Sequence, residues 1–106
     1  MATHTIYIGV EDGRLVYWDQ NGNPARAKHA KHQDSIRWQS KMRMEFTVEF
    51  VGEWPFEPPP VLLPSQGGAT ERKKVVVDPK SAVIYKYGVR AGELKDDPEI
   101  IIDPSE

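Results

Sequence analysis

The chain has 106 residues, of which 39% are hydrophobic and 28% charged, and its formal net charge is only −2. This composition is typical of one packed domain and argues against disorder. No apolar run approaches the roughly 20 residues of a membrane-spanning helix. The lack of cysteine excludes disulfides, thiolate nucleophiles and metal sites built on cysteine.

The chain is expected to form one domain over residues 1–106, with fraying at residues 1–4 and 104–106. Its N-terminus has neither the basic region nor the apolar region of a signal peptide. This predicts a cytoplasmic protein, or one whose leader has been removed.

Short alternating runs of apolar and polar residues predict strands along most of the chain. The apolar side of the most regular run carries Met44, Phe46, Val48 and Phe50. Residues 25–31 show no helical stripe and are interpreted as extended. With that segment, about eight strands are predicted, at residues 5–10, 15–18, 25–31, 36–38, 44–50, 75–77, 82–87 and 99–102.

The longest connection, residues 52–70, carries five prolines. Because proline cannot donate to a strand ladder, no central strand is expected there. Strong helical periodicity is absent from the sequence. We therefore predict an all-β fold, a Greek-key β-sandwich in which residues 52–70 form a long irregular loop.

Three short motifs together indicate a more specific fold. Residues 33–38 (QDSIRW) are similar to the pattern Gly-Asp-x-Val-x-Trp, with Gln33 in place of the glycine and Ile36 in place of the valine. Residues 46–50 (FTVEF) resemble the pattern His-Asn-Ile-x-Phe, with Phe46 in place of the histidine, and Tyr85 and Tyr87 form an aromatic pair near the C-terminus. This order resembles the cupredoxin family, the fold of small blue-copper electron carriers, and implies a cupredoxin-like β-sandwich over most of the chain.

The resemblance also assigns the copper positions, and none of them holds a usual ligand. Phe46 stands at the position of the first histidine, Val89 at about the cysteine, and Gly92 at about the second histidine. Asp96 or Asp97 falls near the methionine. Blue-copper sites need two imidazoles and a thiolate in one plane. The resemblance therefore implies a copper-free relative with no cofactor, whose ligand end is filled with hydrocarbon.

The sequence offers weak candidates for metal binding, for catalysis and for nucleic-acid binding, and in each case a solvated surface residue is the simpler interpretation. His29 and His32 could hold a metal ion if they lay on a helix, whereas on a strand they would point to opposite faces. Lys28 and Lys31 would repel a cation, so we expect solvated histidines. No serine lies in a nucleophile-elbow motif, and the basic stretch 26–43 has only one interleaved aromatic residue. Neither an enzyme nor a nucleic-acid binder is predicted.

The segment 54–60 is the most suggestive recognition surface, because aromatic side chains and stiff proline backbone lose little entropy on binding. Its partner-binding residues would be Trp54, Phe56, Pro58, Pro59 and Pro60. The plainer interpretation, which we favour, is that Trp54 and Phe56 plug one end of the sandwich. An exposed Trp18, Trp38 or Trp54 would instead favour a small ligand such as a carbohydrate.

Charges are unevenly placed along the chain. Residues 24–44 hold six Lys or Arg against one acid, a sum of +5, whereas residues 93–106 hold six acids against one lysine. If these two segments lie on different faces, they can pair between molecules, and this is the arrangement that we favour. If they lie side by side, they neutralise each other within one chain. The sequence thus predicts a non-catalytic, metal-free cupredoxin-like interaction or structural module that binds another protein or itself. The alternatives are a metal-binding or redox protein that uses His29 and His32, or a small-ligand binder.

Overall fold

The computed structural model describes residues 2–41, 44–50, 52–56 and 62–105, and these residues form ten β-strands and no helix. The strands are β1 (Thr3–Glu11), β2 (Arg14–Trp18), β3 (Ala27–Lys31), β4 (Ser35–Ser40), β5 (Thr47–Phe50), β6 (Leu62–Pro64), β7 (Lys73–Lys74), β8 (Val83–Ala91), β9 (Leu94–Asp96) and β10 (Glu99–Asp103). Within the described ranges, no helix has the length and apolar character needed to cross a membrane. The predicted all-β fold is confirmed.

The strands form two sheets. The four-stranded sheet has the order β2-β1-β4-β7, and the six-stranded sheet has the order β3-β10-β8-β5-β6, with β9 paired to β8. Strand β1 runs parallel to β4 and β3 runs parallel to β10, whereas the other pairs are antiparallel. Because successive strands often belong to different sheets, the chain passes repeatedly between them and builds the expected Greek-key β-sandwich.

The hydrophobic core follows from the period-two alternation of the strands. In β4 the inward residues Ile36, Trp38 and Ser40 are buried, and the residues between them are partly exposed. The six-stranded sheet contributes Val48, Phe50, Tyr87, Val89, Ile100 and Ile102 to the same core. These strands therefore present one side to the core and the other to solvent.

The predicted facing of residues 44–50 is confirmed, because the apolar side chains of this segment belong to the core or pack against it. The strand is shorter than predicted and begins at Thr47. Just before it, the Phe46 N–H donates to Ser65 Oγ (2.8 Å), and the Ser65 N–H donates to Phe46 O (2.8 Å). A serine hydroxyl thus satisfies the backbone where the segment leaves the ladder.

The strand predicted at residues 75–77 is wrong, because the ladder ends with β7 before them. Val75 makes an isolated bridge with Phe56, and the Val76 N–H donates to Pro55 O (2.9 Å). Val75 also bonds to the turn before β4, because its N–H donates to Asp34 O (2.8 Å) and the Gln33 N–H donates to Val75 O (2.9 Å). This segment therefore pairs with a turn and with the irregular loop, and not with another strand.

Three short strands of the described residues, β6, β7 and β9, were not predicted, and the strand predicted at residues 75–77 is absent, which together turn about eight expected strands into ten. Strand β7 lies just before residues 75–77. Strand β6 lies inside the loop 52–70, but at the edge of its sheet, where proline is tolerated. Strand β9 forms a hairpin with β8, and Gly92 in its turn has a φ of 61°. Both strands depend on a neighbour that supplies hydrogen bonds, so a local alternation pattern does not reveal them.

The turn before β4 has the backbone conformation that the motif resemblance implies. Gln33 has a φ of 73°, in the left-handed region that favours glycine. A glycine would adopt this conformation freely, whereas a side chain there costs roughly 1–2 kcal/mol. Gln33 therefore occupies a true glycine position of the turn.

Asp34 ties the N-terminal strand to this turn. Its buried carboxylate accepts hydrogen bonds from the N–H groups of Ala2 (2.9 Å) and Lys31 (3.0 Å), and His4 Nε2 lies 2.8 Å from its Oδ2. Strand β1 begins at Thr3. Thr3 and His4, for which fraying was predicted, are paired with Ser35 and Ile36 in this strand.

Candidate functional site

The positions that the resemblance assigns to copper ligands hold buried hydrocarbon or hairpin residues. Phe46 and Val89 are only 3% and 1% exposed and belong to the core. Gly92 lies in the β8–β9 turn, and Asp96 accepts a hydrogen bond from Arg26. Phenyl and isopropyl groups have no lone pair to offer a metal. Phe46 and Val89 therefore cannot replace the histidine and the cysteine of a blue-copper site, and we assign no redox step to this end of the sandwich.

The two histidines proposed as metal ligands have different surroundings. His29 is exposed on β3, and its Nδ1 lies 2.8 Å from Oδ2 of Asp103. His32 lies in the turn after β3, and its buried Nδ1 has no hydrogen-bond partner in the described part of the chain. Within the described ranges, no group of three or more His, Cys, Asp or Glu side chains is placed to hold a metal ion.

Phe56 lies in the core, as the favoured interpretation of residues 54–60 predicted, so its ring is not available on the surface to bind a partner. It is 5% exposed, and its ring centroid lies 6.3 Å from that of Trp38 and 5.4 Å from that of Phe50. Trp54 is partly exposed and packs against the same core. The prediction for Pro58–Pro60 falls outside the described residues.

Trp38 is a structural residue and offers no surface to a ligand. It is fully buried, and its Nε1–H donates to the hydroxyl oxygen of Tyr87 (3.1 Å). Burial raises the pKa of Tyr87 above its ordinary value, so this hydroxyl stays neutral. The core thus satisfies the one polar group of the indole ring.

The outer side of the four-stranded sheet brings two aromatic side chains together. Tyr7 of β1 lies directly opposite Trp18 of β2, and Gly9 lies opposite Val16 in the same ladder. Both aromatic side chains are partly exposed. A Cβ atom at Gly9 would lie 2.7 Å from Cζ3 of Trp18. The indole ring therefore lies across the bare backbone of Gly9, which only glycine allows.

Lys41 completes this surface. Its Nζ lies 4.8 Å from the ring centroid of Trp18 and 5.5 Å from that of Tyr7. Its backbone N–H donates to Ile8 O (2.9 Å), which fixes the start of the side chain. Such a cation–π contact contributes about 0.5–1 kcal/mol at an exposed site. Tyr7, Gly9, Trp18 and Lys41 are called the aromatic face below.

Polar and mostly basic side chains surround the aromatic face. Strand β4 places Arg37 opposite Thr5, and Gln39 opposite Tyr7. The described strands place four charged residues on this side of the sheet, Glu11, Arg14, Arg37 and Lys74. Lys41, which follows β4, adds a fifth. Four cations against one acid give this side of the sheet a charge of +3, although the whole chain carries −2.

The outer side of the six-stranded sheet has a groove with balanced charge. The groove lies over Gly88, and the charged residues that line it are Glu49, Arg90, Lys95 and Asp96. Two acids face two bases, so the groove has no preferred sign of ligand. It is a weaker candidate than the aromatic face, because neither a charge sign nor an aromatic ring selects its occupant.

The first part of the basic segment lies beside the acidic segment within one chain, so the prediction that the two segments occupy different faces is wrong for Arg26 and β3. Arg37 and Lys41, by contrast, lie on the other sheet. Strand β3 pairs directly with β10. Arg26 Nη2 lies 2.7 Å from Asp96 Oδ1 and 3.3 Å from Asp97 Oδ1. The two segments partly neutralise each other inside the molecule and supply no argument for self-association.

Sequence reasoning missed Tyr7, Gly9 and Lys41 as surface residues. A local signal was present for the first two, because Asp12–Gly13 is a typical two-residue hairpin turn. Counting back from such a turn pairs Tyr7 with Trp18. Lys41 has no such signal, since it reaches this surface through the parallel pairing of β1 with β4.

No protein-family model matches the chain, and no curated protein matches it. Solved structures do resemble it, and one of them is a proline-to-glycine variant of amicyanin in its reduced Cu(I) form at pH 4. The two share 12% sequence identity at a TM-score of 0.53, over 93% of this chain and 82% of that chain. At this identity the likeness shows the fold alone, and the fold of this chain is a cupredoxin-like β-sandwich.

Proposed function

We propose that this chain is a non-catalytic, metal-free cupredoxin-like module that binds a protein partner through the aromatic face. The observation that carries the proposal is the placement of two partly exposed rings, Tyr7 and Trp18, side by side on the outer side of a sheet. Tryptophan, tyrosine and arginine are enriched among the residues that dominate protein–protein binding energies. Arg37 lies in the next strand of the same side.

The aromatic face is ordered before a partner arrives. Trp18 lies across Gly9 and under the ammonium group of Lys41, and Tyr7 is its direct cross-strand neighbour. Side chains held in this way lose little conformational freedom on association, which otherwise costs about 0.5–1.5 kcal/mol for each flexible side chain. Preorganisation therefore supports a recognition role.

The metal-free part of the proposal is supported by the side chains at the expected ligand positions. Phe46 and Val89 carry no donor atom and are enclosed in the core. The non-catalytic part is supported by the sequence, in which no serine lies in a nucleophile-elbow motif.

Affinity capture with the immobilised chain, quantified by mass spectrometry, tests the binding surface. We expect a partner that the wild type captures to be lost with Trp18→Ala. Ile84→Ala is the matched control, because Ile84 is 58% exposed on the other sheet and should not affect capture. Equal capture by the wild type and Trp18→Ala would show that the aromatic face is not the binding surface.

Titration with Cu²⁺ tests the metal-free part separately. No intense visible charge-transfer band is expected, because the chain has no cysteine thiolate. Weak copper uptake that His29→Ala removes would indicate a surface site. A stoichiometric complex that survives chelation would contradict the proposal.

A further inference from the structure

We propose that the occupant of the aromatic face is an acidic, extended segment of a partner protein. Its carboxylates would pair with Arg37 and Lys41, and an apolar side chain between them would contact Tyr7, which lies opposite Gln39. This inference rests on the proposed function and adds the chemistry of the partner.

The sign of the charge around the aromatic face selects an acidic occupant. Glu11, the one acid on this side of the described sheet, lies directly opposite Arg14. Arg37 and Lys74 instead lie opposite the uncharged Thr5 and Ser35. A local excess of positive charge on a chain with a negative total attracts acidic groups and repels basic ones.

The position of Lys41 favours an anionic occupant over a neutral one. Its ammonium group lies over the Trp18 ring. A carboxylate can approach that ammonium group from the solvent side while the ring stays beneath it, so the cation–π contact is kept. A neutral ligand that stacks on Trp18, such as an uncharged saccharide, has to displace the ammonium group and loses that attraction.

The spacing of the basic side chains matches an extended peptide. Arg37 lies in β4 and Lys41 directly follows the last residue of that strand, so their Cα atoms are about 13 Å apart at the rise of a β-strand. A peptide that runs beside them in an extended conformation repeats its same-side residues with the same period. Acids at positions i and i+4 would meet the two cations, and an apolar residue at i+2 would lie between them.

A second copy of this chain is a poor source of the acidic segment. Three of the six acids near its C-terminus are already engaged within the chain, since Arg26 contacts Asp96 and Asp97 and His29 contacts Asp103. Their carboxylates would have to leave these partners to reach the aromatic face of another copy. The partner is therefore a different protein.

Fluorescence anisotropy with a labelled synthetic peptide tests the inference. The probe contains the sequence Glu-Thr-Leu-Thr-Glu, and the control peptide has glutamine in place of both glutamates. We expect the wild-type chain to bind the acidic probe more tightly than the control, with an affinity that falls as salt is raised.

Variants of the chain assign that binding to the aromatic face. Lys41→Gln should weaken binding of the acidic probe by about fivefold, the effect of losing one exposed ion pair. Lys41→Arg should restore most of it. Lys86→Gln makes the same charge change on the exposed side of the other sheet and should have no effect. Circular dichroism confirms that each variant keeps its β fold.

Three outcomes would overturn the inference. They are equal binding of the acidic and the glutamine peptide, equal weakening by Lys41→Gln and Lys86→Gln, and binding of polygalacturonate or a neutral oligosaccharide at Trp18 without binding of the acidic peptide. If Trp18→Ala still abolishes capture of a protein partner in these cases, the proposed function stands and only the acidic chemistry fails. If Trp18→Ala has no effect on capture, the proposed function itself fails.

Discussion

Two aromatic groups of this molecule share residue types but have opposite surroundings. In the core, Trp38 packs edge-on against three other rings, with centroid distances of 5.3 to 6.3 Å. On the outer side of the four-stranded sheet, Trp18 is partly exposed, lies across Gly9, and has Lys41 Nζ above its ring. The first group holds the two sheets together, and the second presents a flat surface to solvent.

The difference in exposure between Trp38 and Trp18 comes from their positions in the inward–outward alternation of their strands, and not from residue type. Trp38 alternates with the partly exposed Arg37 and Gln39 and points inward from β4. Trp18 follows the buried Tyr17 and points outward from β2. A tryptophan in a sandwich strand therefore stabilises the fold or supplies a binding surface according to its side of the sheet.

Replacing each tryptophan by alanine gives the largest contrast. Trp38→Ala should lower the free energy of unfolding by about 3–5 kcal/mol, because it empties a fully buried site. Trp18→Ala should cost about 1 kcal/mol or less, because its ring is already partly solvated. Urea denaturation of both variants measures the difference. Similar losses for the two would break the comparison.

Phe46 and Val89 occupy positions that the resemblance assigns to copper ligands, and as core residues they should contribute to stability as Trp38 does. Phe46→Ala should cost about 3–5 kcal/mol, and Val89→Ala should cost less, since fewer buried methyl groups are lost. Thermal or urea unfolding of each variant provides the measurement. An unchanged melting temperature for Phe46→Ala would refute the assignment of Phe46 to the core.

Removing a tyrosine hydroxyl should have a smaller effect on stability, and that effect should differ between the core and the aromatic face. Tyr87→Phe removes the acceptor of the Trp38 Nε1–H bond and should cost about 1–3 kcal/mol, since a buried donor loses its partner. Tyr7→Phe on the aromatic face is the matched control and should be nearly neutral, because that side chain is partly exposed to water. Equal effects in denaturation curves would contradict the distinction.

Acid should weaken the anchoring of β1. Burial raises the pKa of Asp34, but hydrogen bonds from the Ala2 N–H, His4 and the Lys31 N–H outweigh it and hold the pKa below its ordinary value. The stabilisation is therefore present above the unfolded-state pKa of about 3.9 and is lost as pH falls through the lower folded-state pKa. Denaturation measured from neutral pH down to about pH 3 should show this loss in the wild type. Asp34→Asn should be less stable at neutral pH and less sensitive to acid, and an identical pH profile would argue against the role of this carboxylate.

The smallest effect is expected at the exposed pair between Arg26 and Asp96. Arg26→Gln should change the free energy of unfolding by about 0–1 kcal/mol, because exposed ion pairs are screened by water and salt. Analytical ultracentrifugation at low and high salt accompanies this measurement. If the wild type self-associates in a salt-sensitive way, charged residues other than Arg26 and Asp96 must join copies of the chain.

Local patterns predicted the parts of the fold that depend on neighbouring residues. The alternation of residues 44–50 correctly predicted which side chains face the core. One part of the aromatic face could have been predicted from the sequence, since the Asp12–Gly13 turn sets the pairing of Tyr7 with Trp18. These features are encoded by side-chain periodicity and by short turns.

The sequence by itself determined an all-β sandwich, the inward and outward sides of its regular strands, and the lack of a cysteine ligand for copper. Only the tertiary structure decided which distant segments meet. Thr3 pairs with Ser35 and Ala27 with Glu99 through parallel ladders. Such pairings join segments far apart along the chain, and each depends on burial of the whole core and not on a local pattern. They place Lys41 over Trp18 and join the basic to the acidic segment.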